Sequence, residues 1–241
     1  MLEVGEARLL TDPVLRDRVL HIHRRSAPVA PEMTTDVDAV LLSHLHADHL
    51  DPPSLRRLDR GTTIVAPMGS RRLLRRRGFA DVLELGPGES TSIGGVRLEA
   101  VAVRHEGRRY PVGRSIQALG YDIQAAARVF FAGDTAPFDV RELAGGIDVA
   151  LLPIAGWGPR LNLRHHLDPQ AAARMAAEFQ PRVAVPIHWG TLLRMGLGER
   201  SEELLELPPS EFAAHMAELA PGVSVRVLTP GESMPLPSPD P

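Results

Sequence analysis

The stretch His44-Leu45-His46-Ala47-Asp48-His49 directly follows the apolar run Val40-Leu41-Leu42. It places three imidazoles and one carboxylate within six residues. These are ligand types that a borderline divalent ion such as zinc binds. The spacing predicts a tight loop after a strand, in which His44 and His46 face one ion while Asp48 and His49 face a second. The alternative interpretation is a polar, histidine-rich loop without a ligand.

Composition limits the chemistry that the chain can perform. The 241 residues include no cysteine, which excludes thiol catalysis, disulfides and thiolate ligands, so a metal site must consist of His, Asp and Glu. All 27 basic residues are arginine, which excludes a lysine nucleophile and a Schiff base. Because the net charge of −3 provides no basic field, we expect no nucleic-acid partner. The arginine-rich run at 71–77 predicts a solvated helix face.

The sequence carries no pattern that predicts a membrane or export segment. No apolar stretch follows a basic start, as a signal peptide would require, and no apolar run reaches the roughly 18 residues of a membrane helix. We therefore expect a cytoplasmic protein that makes no membrane contact. Hydrophobic residues make up 44 % of the chain, which is enough for a sizeable core. The sequence leaves open whether the protein forms a homo-oligomer.

Short strands broken by Gly and Pro turns, with helices between them, dominate the predicted secondary structure. Predicted strands cover residues 7–10, 38–43, 63–66, 82–85, 96–104, 116–123, 128–132, 148–152, 183–187 and 223–228; predicted helices cover 54–58, 69–77, 170–179 and 210–219. Asp168 is the expected N-cap of the third helix, with Pro169 in its first turn. The alternation predicts an α/β fold of two sheets between outer helices, as one domain over 1–233 with a mobile tail at 234–241.

Three further candidate ligands each follow an apolar strand. His105 comes after the strand at 96–104, Asp134 after the strand at 128–132, and His188 after the strand at 183–187. Strand ends of a layered fold meet at one edge, where sites are usually assembled. Taken singly, His105 and Asp134 could be turn residues, and His188 could be a packing histidine of the interior. Together with the cluster at 44–49 they predict one metal site.

These motifs resemble those of the metallo-β-lactamase fold superfamily. His-x-His-x-Asp-His at 44–49, the distant His105, a Gly-Asp-Thr at 133–135 and the late His188 carry this resemblance over nearly the whole chain. A nearer resemblance is to the branch that contains N-acyl-phosphatidylethanolamine phospholipase D and the ascorbate-phosphate lactonase-like hydrolases. It rests on Leu10-Thr11-Asp12-Pro13-Val14, on 43–51, on His166-Leu167-Asp168-Pro169 with its Ala-rich helix, and on Ile187-His188-Trp189-Gly190-Thr191.

The resemblance implies a four-layer αββα sandwich with a binuclear metal site. One ion would be bound by His44, His46 and His105, a second by Asp48, His49 and His188, and Asp134 would bridge the two. The expected cofactors are two divalent ions, zinc in the first place and manganese in the second. A hydroxide held between them would attack an ester, a phosphodiester or a phosphorylated lactone of a small substrate.

Two residues of the set are candidates for a direct catalytic role. Asp48 is expected to orient the attacking water as well as to bind an ion. His166 resembles a substrate-side histidine that donates to a substrate oxygen or protonates the leaving group. The alternative for His166 is a loop-packing histidine, which is also the interpretation of His165.

Other residues keep two interpretations. Asp12 could support a ligand histidine or serve the turn beside Pro13. Arg160 and Arg164 could contact an anionic substrate or be solvated loop arginines. The loops at 106–114 and 155–164 are expected to form the pocket walls.

Two other function classes compete with hydrolysis. A non-catalytic, metal-dependent binding or sensor domain on the same fold is the main alternative, although such sites usually lack a ligand. Redox chemistry on a di-iron site would resemble a pattern with Glu at the position of His46, so the histidine favours hydrolysis. Three other activities are not expected. The sequence shows no basic field for a nuclease and no signal peptide for a secreted β-lactamase. It also shows no amphipathic docking segment for a membrane-lipid specificity.

Overall fold

The computed structural model describes residues 1–109, 115–155, 165–194 and 200–238. Its helices are α1 (Pro52–Leu55), α2 (Arg71–Arg76), α3 (Pro169–Phe179) and α4 (Arg200–Leu219), with short 3₁₀ helices at Pro31–Thr34 and Arg141–Leu143. Its strands are β1 (Leu2–Val4), β2 (Ala7–Thr11), β3 (Arg18–Val19), β4 (Ile22–Arg24), β5 (Ala39–Leu41), β6 (Thr63–Pro67), β7 (Val82–Leu85), β8 (Ser90–Ile93), β9 (Val96–Glu106), β10 (Gln117–Gln124), β11 (Arg128–Phe131), β12 (Val149–Pro153), β13 (Val183–Ile187), β14 (Leu192–Arg194) and β15 (Ser224–Val225).

Two large sheets and a small one organise these strands. The five-stranded sheet has the order β1-β2-β5-β6-β7, the seven-stranded sheet has the order β15-β13-β12-β11-β10-β9-β8, and β14, β4 and β3 form the small sheet. Strands β2, β5, β6 and β7 run parallel, as do β11, β12, β13 and β15. Parallel strands end on the same side of a sheet, so the loops that follow them are gathered at one edge.

Three buried clusters separate four layers of structure. The central cluster lies between the two large sheets and contains Leu41 of β5 and Tyr121 of β10. A second cluster, with Leu74 of α2, covers the other face of the five-stranded sheet. A third joins Phe179 of α3 to Phe130 on the outer face of the seven-stranded sheet. Full burial of each such side chain contributes about 1.5–3 kcal/mol, and the resulting architecture confirms the predicted αββα sandwich.

Helix α3 begins and ends where the sequence predicts. The Ala171 backbone N–H donates to Asp168 Oδ1 at 2.7 Å, and Pro169 occupies the first turn, where a missing N–H costs nothing. Gln180 adopts a left-handed φ of 49° and closes the helix before Pro181. This helix packs its buried face on the seven-stranded sheet next to the strand ends of the site.

The structure corrects several predicted boundaries. Helix α4 begins at Arg200 instead of 210 and contains Pro208 and Pro209, residues that usually end a helix. The strand predicted at 223–228 is reduced to β15, and α1 begins two residues before the predicted 54 because Asp51 caps it. His105 lies inside β9, which continues to Glu106, instead of following the strand.

The segment after residue 233 makes contacts that the sequence did not predict. Met234 and Leu236 pack against the cluster between the sheets, and Arg182 Nη1 donates to the Ser238 carbonyl at 2.7 Å. Residues 234–238 therefore have packing partners, the mobility expected for 234–241 stays a prediction, and 239–241 lie outside the described residues.

None of the helices in the described part of the chain has both the length and the apolar character needed to cross a bilayer.

Candidate metal centre

Five strands deliver the candidate residues to one edge of the sandwich. Asp12 follows β2 and the loop at 44–49 begins three residues after β5, its parallel neighbour. Asp134 and His188 follow β11 and β13 of the other sheet, and His105 is the last residue but one of β9. The structure thereby brings all seven predicted ligands together. Within each group of three residues, the candidate ligand atoms lie within 4.8 Å of one another. Asp134 also lies beside His49 and His188.

The first group consists of His44, His46 and His105. His46 Nδ1 faces His44 Nε2 at 2.9 Å and His105 Nε2 at 3.3 Å. His44 is fully buried, so the group is closed on the protein side. Three ring nitrogens thus converge, and they belong to the residues that the resemblance implies for the first ion.

The second group consists of Asp48, His49 and His188. His49 Nε2 lies 3.3 Å from His188 Nε2 and 3.9 Å from Asp48 Oδ2. His188 has a positive φ of 60°, a conformation that histidine adopts more readily than most residues and that often occurs at functional sites. The turn after β13 therefore aims this side chain back at His49.

Asp134 faces the second group with both carboxylate oxygens. Oδ2 lies 3.4 Å from His49 Nε2, and Oδ1 lies 3.3 Å from His188 Nε2. The same carboxylate forms a third group with His105, of the first ligand set, and with His166. Asp134 therefore lies between the two predicted ion positions.

Hydrogen bonds at Asp12 and Ser43 fix which ring nitrogens face the centre. Ser43 Oγ donates to Asp12 Oδ2 at 2.5 Å, so it accepts from His44 Nδ1 at 2.9 Å. Asp12 Oδ2 also accepts from His49 Nδ1 at 2.7 Å. His105 Nδ1 donates to the His165 carbonyl at 2.8 Å. In each histidine the Nε2 atom is thereby directed into the site, the arrangement that metal-ligating histidines need.

The donor set fits divalent cations. Zinc with Zn–N bonds of about 2.0 Å holds tetrahedral nitrogen ligands about 3.3 Å apart, close to the separations of 2.9 and 3.3 Å found between these ring nitrogens. Asp134 Oδ1 is buried and has no hydrogen-bond partner among the described residues. A buried carboxylate oxygen without a donor is costly, and a cation beside it removes that cost.

Electrostatics prepares most of the histidines as neutral ligands. Burial lowers the pKa of His44 well below its usual value, and burial lowers the pKa of His46 to about 4. Burial also lowers the pKa of His105. His49 is the exception: burial opposes its charge, but Asp134 and Asp12 raise its pKa well above the usual value. A metal bound at His49 would have to displace that proton.

His166 lies beside the two groups. Its Nδ1 is 3.5 Å from Asp134 Oδ2, its ring centroid is 5.0 Å from that of His105, and 18 % of its side chain is exposed. Burial lowers its pKa to about 4, so the ring is neutral at neutral pH. The side chain of His165 is exposed and contributes its backbone carbonyl. Arg160 and Arg164 lie outside the described residues.

Two supporting residues were not singled out from the sequence. Ser43 connects Asp12 to His44, because its hydroxyl donates to the carboxylate and accepts from the imidazole. In the sequence, its only signal is its position directly before the His cluster. Thr135 Oγ1 accepts from the Arg104 N–H at 3.1 Å and donates to the Ala136 carbonyl at 2.7 Å. That contact ties the loop of Asp134 to the strand that carries His105, although the Gly-Asp-Thr motif gave no sign of it.

A basic groove on the outer face is separate from this centre. It has a volume of about 580 Å³ and is lined by Gly69, Arg71, Arg72, Arg75, Arg76 and Glu84. None of the predicted ligands lines it. Arg72, Arg75 and Arg76 are exposed, in agreement with a solvated helix face.

Comparison with known proteins adds independent information. A family model described as "Beta-lactamase superfamily domain" matches residues 7–189. A metal-dependent hydrolase of Opitutus terrae is 30% identical over 245 residues, which cover 97% of this chain and 94% of that protein. An N-acyl-phosphatidylethanolamine-hydrolyzing phospholipase D of Caenorhabditis elegans is 27% identical over 79% of this chain and 61% of its own length.

A solved structure supports the fold. The isothiocyanate hydrolase from Delia radicum gut bacteria has a TM-score of 0.71 and 18% sequence identity, with 98% of this chain and 95% of that chain covered. At this identity the likeness concerns architecture alone. The chain therefore belongs to the metallo-β-lactamase superfamily, and relatives that match it over nearly their whole length are metal-dependent hydrolases.

Proposed function

We propose that the protein is a binuclear metal-dependent hydrolase. His44, His46 and His105 would hold one divalent ion, Asp48, His49 and His188 the second, and Asp134 would lie between them. One observation carries the proposal: two three-residue ligand groups meet at one edge of the fold, with a buried carboxylate between them whose Oδ1 has no donor among the described residues. A single structural ion would need only one such group.

The two groups suit zinc first and manganese second. Imidazole and carboxylate ligands without thiolates are compatible with both ions. When bound, a pair of such ions supplies a Lewis acid and lowers the pKa of coordinated water towards neutrality. No protein nucleophile is then required, which agrees with a chain that has neither cysteine nor lysine.

The chain's own residues would divide the remaining tasks. Asp134 balances positive charge from a fully buried position. The side chain of Asp48 is 25 % exposed, so one of its oxygens can accept a hydrogen bond from water and orient it. His166, neutral at neutral pH, presents a partly exposed ring beside Asp134 and would donate a hydrogen bond to a substrate oxygen.

The proposed substrate is a small ester, phosphodiester or phosphorylated lactone. The hydrolase relatives support the reaction type, and the phospholipase relative of C. elegans supports a phosphodiester within that class. The polar centre lies at the loop edge of the sandwich, where a substrate can approach from solvent.

Metal content tests the ligand assignment. Elemental analysis of the purified protein is expected to give about two equivalents of zinc or manganese per chain. His188→Ala is expected to lose at least half of this metal, whereas His21→Ala, at an exposed position of the small-sheet segment, keeps it. Equal metal content in the wild type and His188→Ala would contradict the assignment.

A panel of esters, phosphodiesters and lactones tests the reaction. Hydrolysis is expected with added zinc or manganese and is expected to stop after chelation. Metal-free protein that hydrolyses equally well would overturn the proposal. A metal-loaded protein that is silent with every substrate would favour a metal-dependent binding or sensor domain.

A further inference from the structure

The turn at 45–50 carries much of the predicted metal chemistry, yet few backbone bonds hold it. Within the turn, the N–H groups of His49 and Leu50 donate to the His46 carbonyl at 3.2 and 2.8 Å. The carbonyls of Leu45 and Leu50 accept neither of these bonds, and both residues are buried. Buried carbonyls require a donor, since leaving one unpaired costs about 1–3 kcal/mol.

Arg109 supplies that donor from the loop after β9. Its Nη1 donates to the Leu50 carbonyl at 2.5 Å and to the Leu45 carbonyl at 3.1 Å, and lies 3.4 Å from the His46 carbonyl. Among the described residues, no other donor reaches the carbonyls of Leu45 and Leu50. Bonds from a charged guanidinium are shorter and stronger than neutral ones.

The position of Arg109 also joins two ligand-bearing elements. It lies four residues after His105, which faces His46 Nδ1 at 3.3 Å. Its guanidinium reaches across 59 residues of sequence to Leu50. A single side chain therefore ties the segment that carries His105 to both ends of the turn that carries His46, Asp48 and His49.

We propose that Arg109 is a positioning residue that holds the 45–50 turn in its metal-binding shape. Among the described residues, its hydrogen bonds all end on backbone carbonyls, and its charge also attracts the carboxylates of Asp51 and Asp48. The consequence for metal affinity rests on the proposed function, whereas the consequence for the turn itself does not. Residues that orient ligands in this way typically change metal affinity by about 10–100-fold when they are removed.

The neighbouring Arg108 offers a matched control. Arg108 pairs with Glu106 at 3.3 Å, and its side chain is 43 % exposed. Arg108→Ala therefore removes the same type of side chain from the same loop without touching the turn. Arg109→Lys keeps the positive charge but replaces the planar fork by a single ammonium group. It serves as the second variant in case Arg109→Ala does not fold.

The experiment has two readouts on wild type, Arg109→Ala, Arg109→Lys and Arg108→Ala. In metal-free protein, hydrogen exchange at the amides of His49 and Leu50 is expected to be fastest in Arg109→Ala, intermediate in Arg109→Lys and the same as wild type in Arg108→Ala. Zinc affinity, measured by competition with a chelator, is expected to fall about 10–100-fold in Arg109→Ala and to stay unchanged in Arg108→Ala.

The outcomes separate this inference from the proposed function. Unchanged exchange at both amides in either Arg109 variant would overturn it, as would wild-type zinc affinity in Arg109→Ala. If even the wild type binds no zinc, the proposed function fails, and the exchange rates still decide whether Arg109 holds the turn.

Discussion

The carboxylate of Asp12 accepts the Nδ1–H of His49 at 2.7 Å, and the same oxygen accepts the hydroxyl of Ser43 at 2.5 Å. Since Ser43 in turn accepts from His44, one carboxylate sets the ring orientation of a histidine in each predicted ligand group. Asp12 Oδ1 also accepts the Ser43 backbone N–H at 2.7 Å. The short motif after β2 is thereby connected to both halves of the centre.

Replacing Asp12 by Asn is expected to weaken metal binding. Asparagine tolerates the left-handed φ of 41° at this position, so the backbone can stay in place. The amide nitrogen cannot accept, and the bonds to Ser43 and His49 cannot all persist. Zinc affinity is expected to fall about 10–100-fold in a chelator competition assay. Asp17→Asn, which alters an exposed carboxylate of the same segment, is the control, and equal affinities in both variants would contradict the role of Asp12.

Replacing Gly133 by Ala is expected to destabilise the protein through Ser43. An added Cβ would meet Ser43 Cβ at 2.5 Å and Oγ at 2.9 Å, and the φ of 59° is unfavourable for alanine. Strain and overpacking together are expected to lower the free energy of unfolding by about 2–5 kcal/mol. Urea unfolding measures this loss.

Gly145→Ala is the matched control for the backbone contribution. Gly145 has a similar φ of 77°, but an added Cβ would meet nothing within 4 Å. It is expected to cost only the left-handed penalty of about 1–2 kcal/mol. Equal losses in the two variants would show that the contact with Ser43 does not matter.

The metal-free protein is expected to lose stability on acidification. Burial lowers the pKa of four histidines, His44, His46, His105 and His166, with values of about 4 for His46 and His166. Between about pH 4 and 6.5 the unfolded chain therefore binds more protons, so stability falls as the pH drops through this window. His49 acts in the opposite sense, because Asp134 and Asp12 raise its pKa against burial. Its contribution is present at low pH and is lost as the pH rises through the raised pKa.

Urea unfolding in the presence of a chelator tests this balance. The lowered pKa values of four histidines outweigh the raised pKa of His49 between about pH 4 and 6.5. The protein is therefore expected to be less stable at about pH 5 than at about pH 7. Equal stability at the two pH values would contradict a net effect of the lowered histidine pKa values.

Replacing His166 by Gln is expected to slow hydrolysis while the metal stays bound. His166 belongs to neither of the two ion-binding groups, and its neutral ring is placed to donate to the substrate. Loss of this hydrogen-bond donor is expected to lower the turnover number about 10²–10³-fold. His165→Gln changes an exposed side chain and serves as control. An unchanged turnover number in His166→Gln, or an equal loss in His165→Gln, would contradict this role.

The convergence of the candidate residues could be predicted because most of them lie near the end of an apolar run. Local sequence fixes the strand, and parallel strands end together, so His44, Asp134 and His188 were expected at one edge before any coordinates. The four layers followed from the same alternation of strands and helices. These features depend on residues that are near each other in the chain.

The partners of the supporting residues depend on register, and the sequence left the role of Asp12 open between two interpretations. Asp12 reaches Ser43 across 31 residues because Thr11 of β2 pairs with Leu41 of β5. Arg109 meets Leu50 through the path of a loop, which no periodic pattern encodes. Helix α4 extends ten residues before the predicted start at 210, through Pro208 and Pro209, two residues that disfavour a helix interior.

Diffraction from zinc-loaded crystals, recorded at the zinc absorption edge, tests the central claim most directly. The account predicts two anomalous peaks, one enclosed by His44, His46 and His105 and the other by Asp48, His49 and His188, with Asp134 adjoining both. A single peak, or peaks that lie away from these side chains, would contradict it.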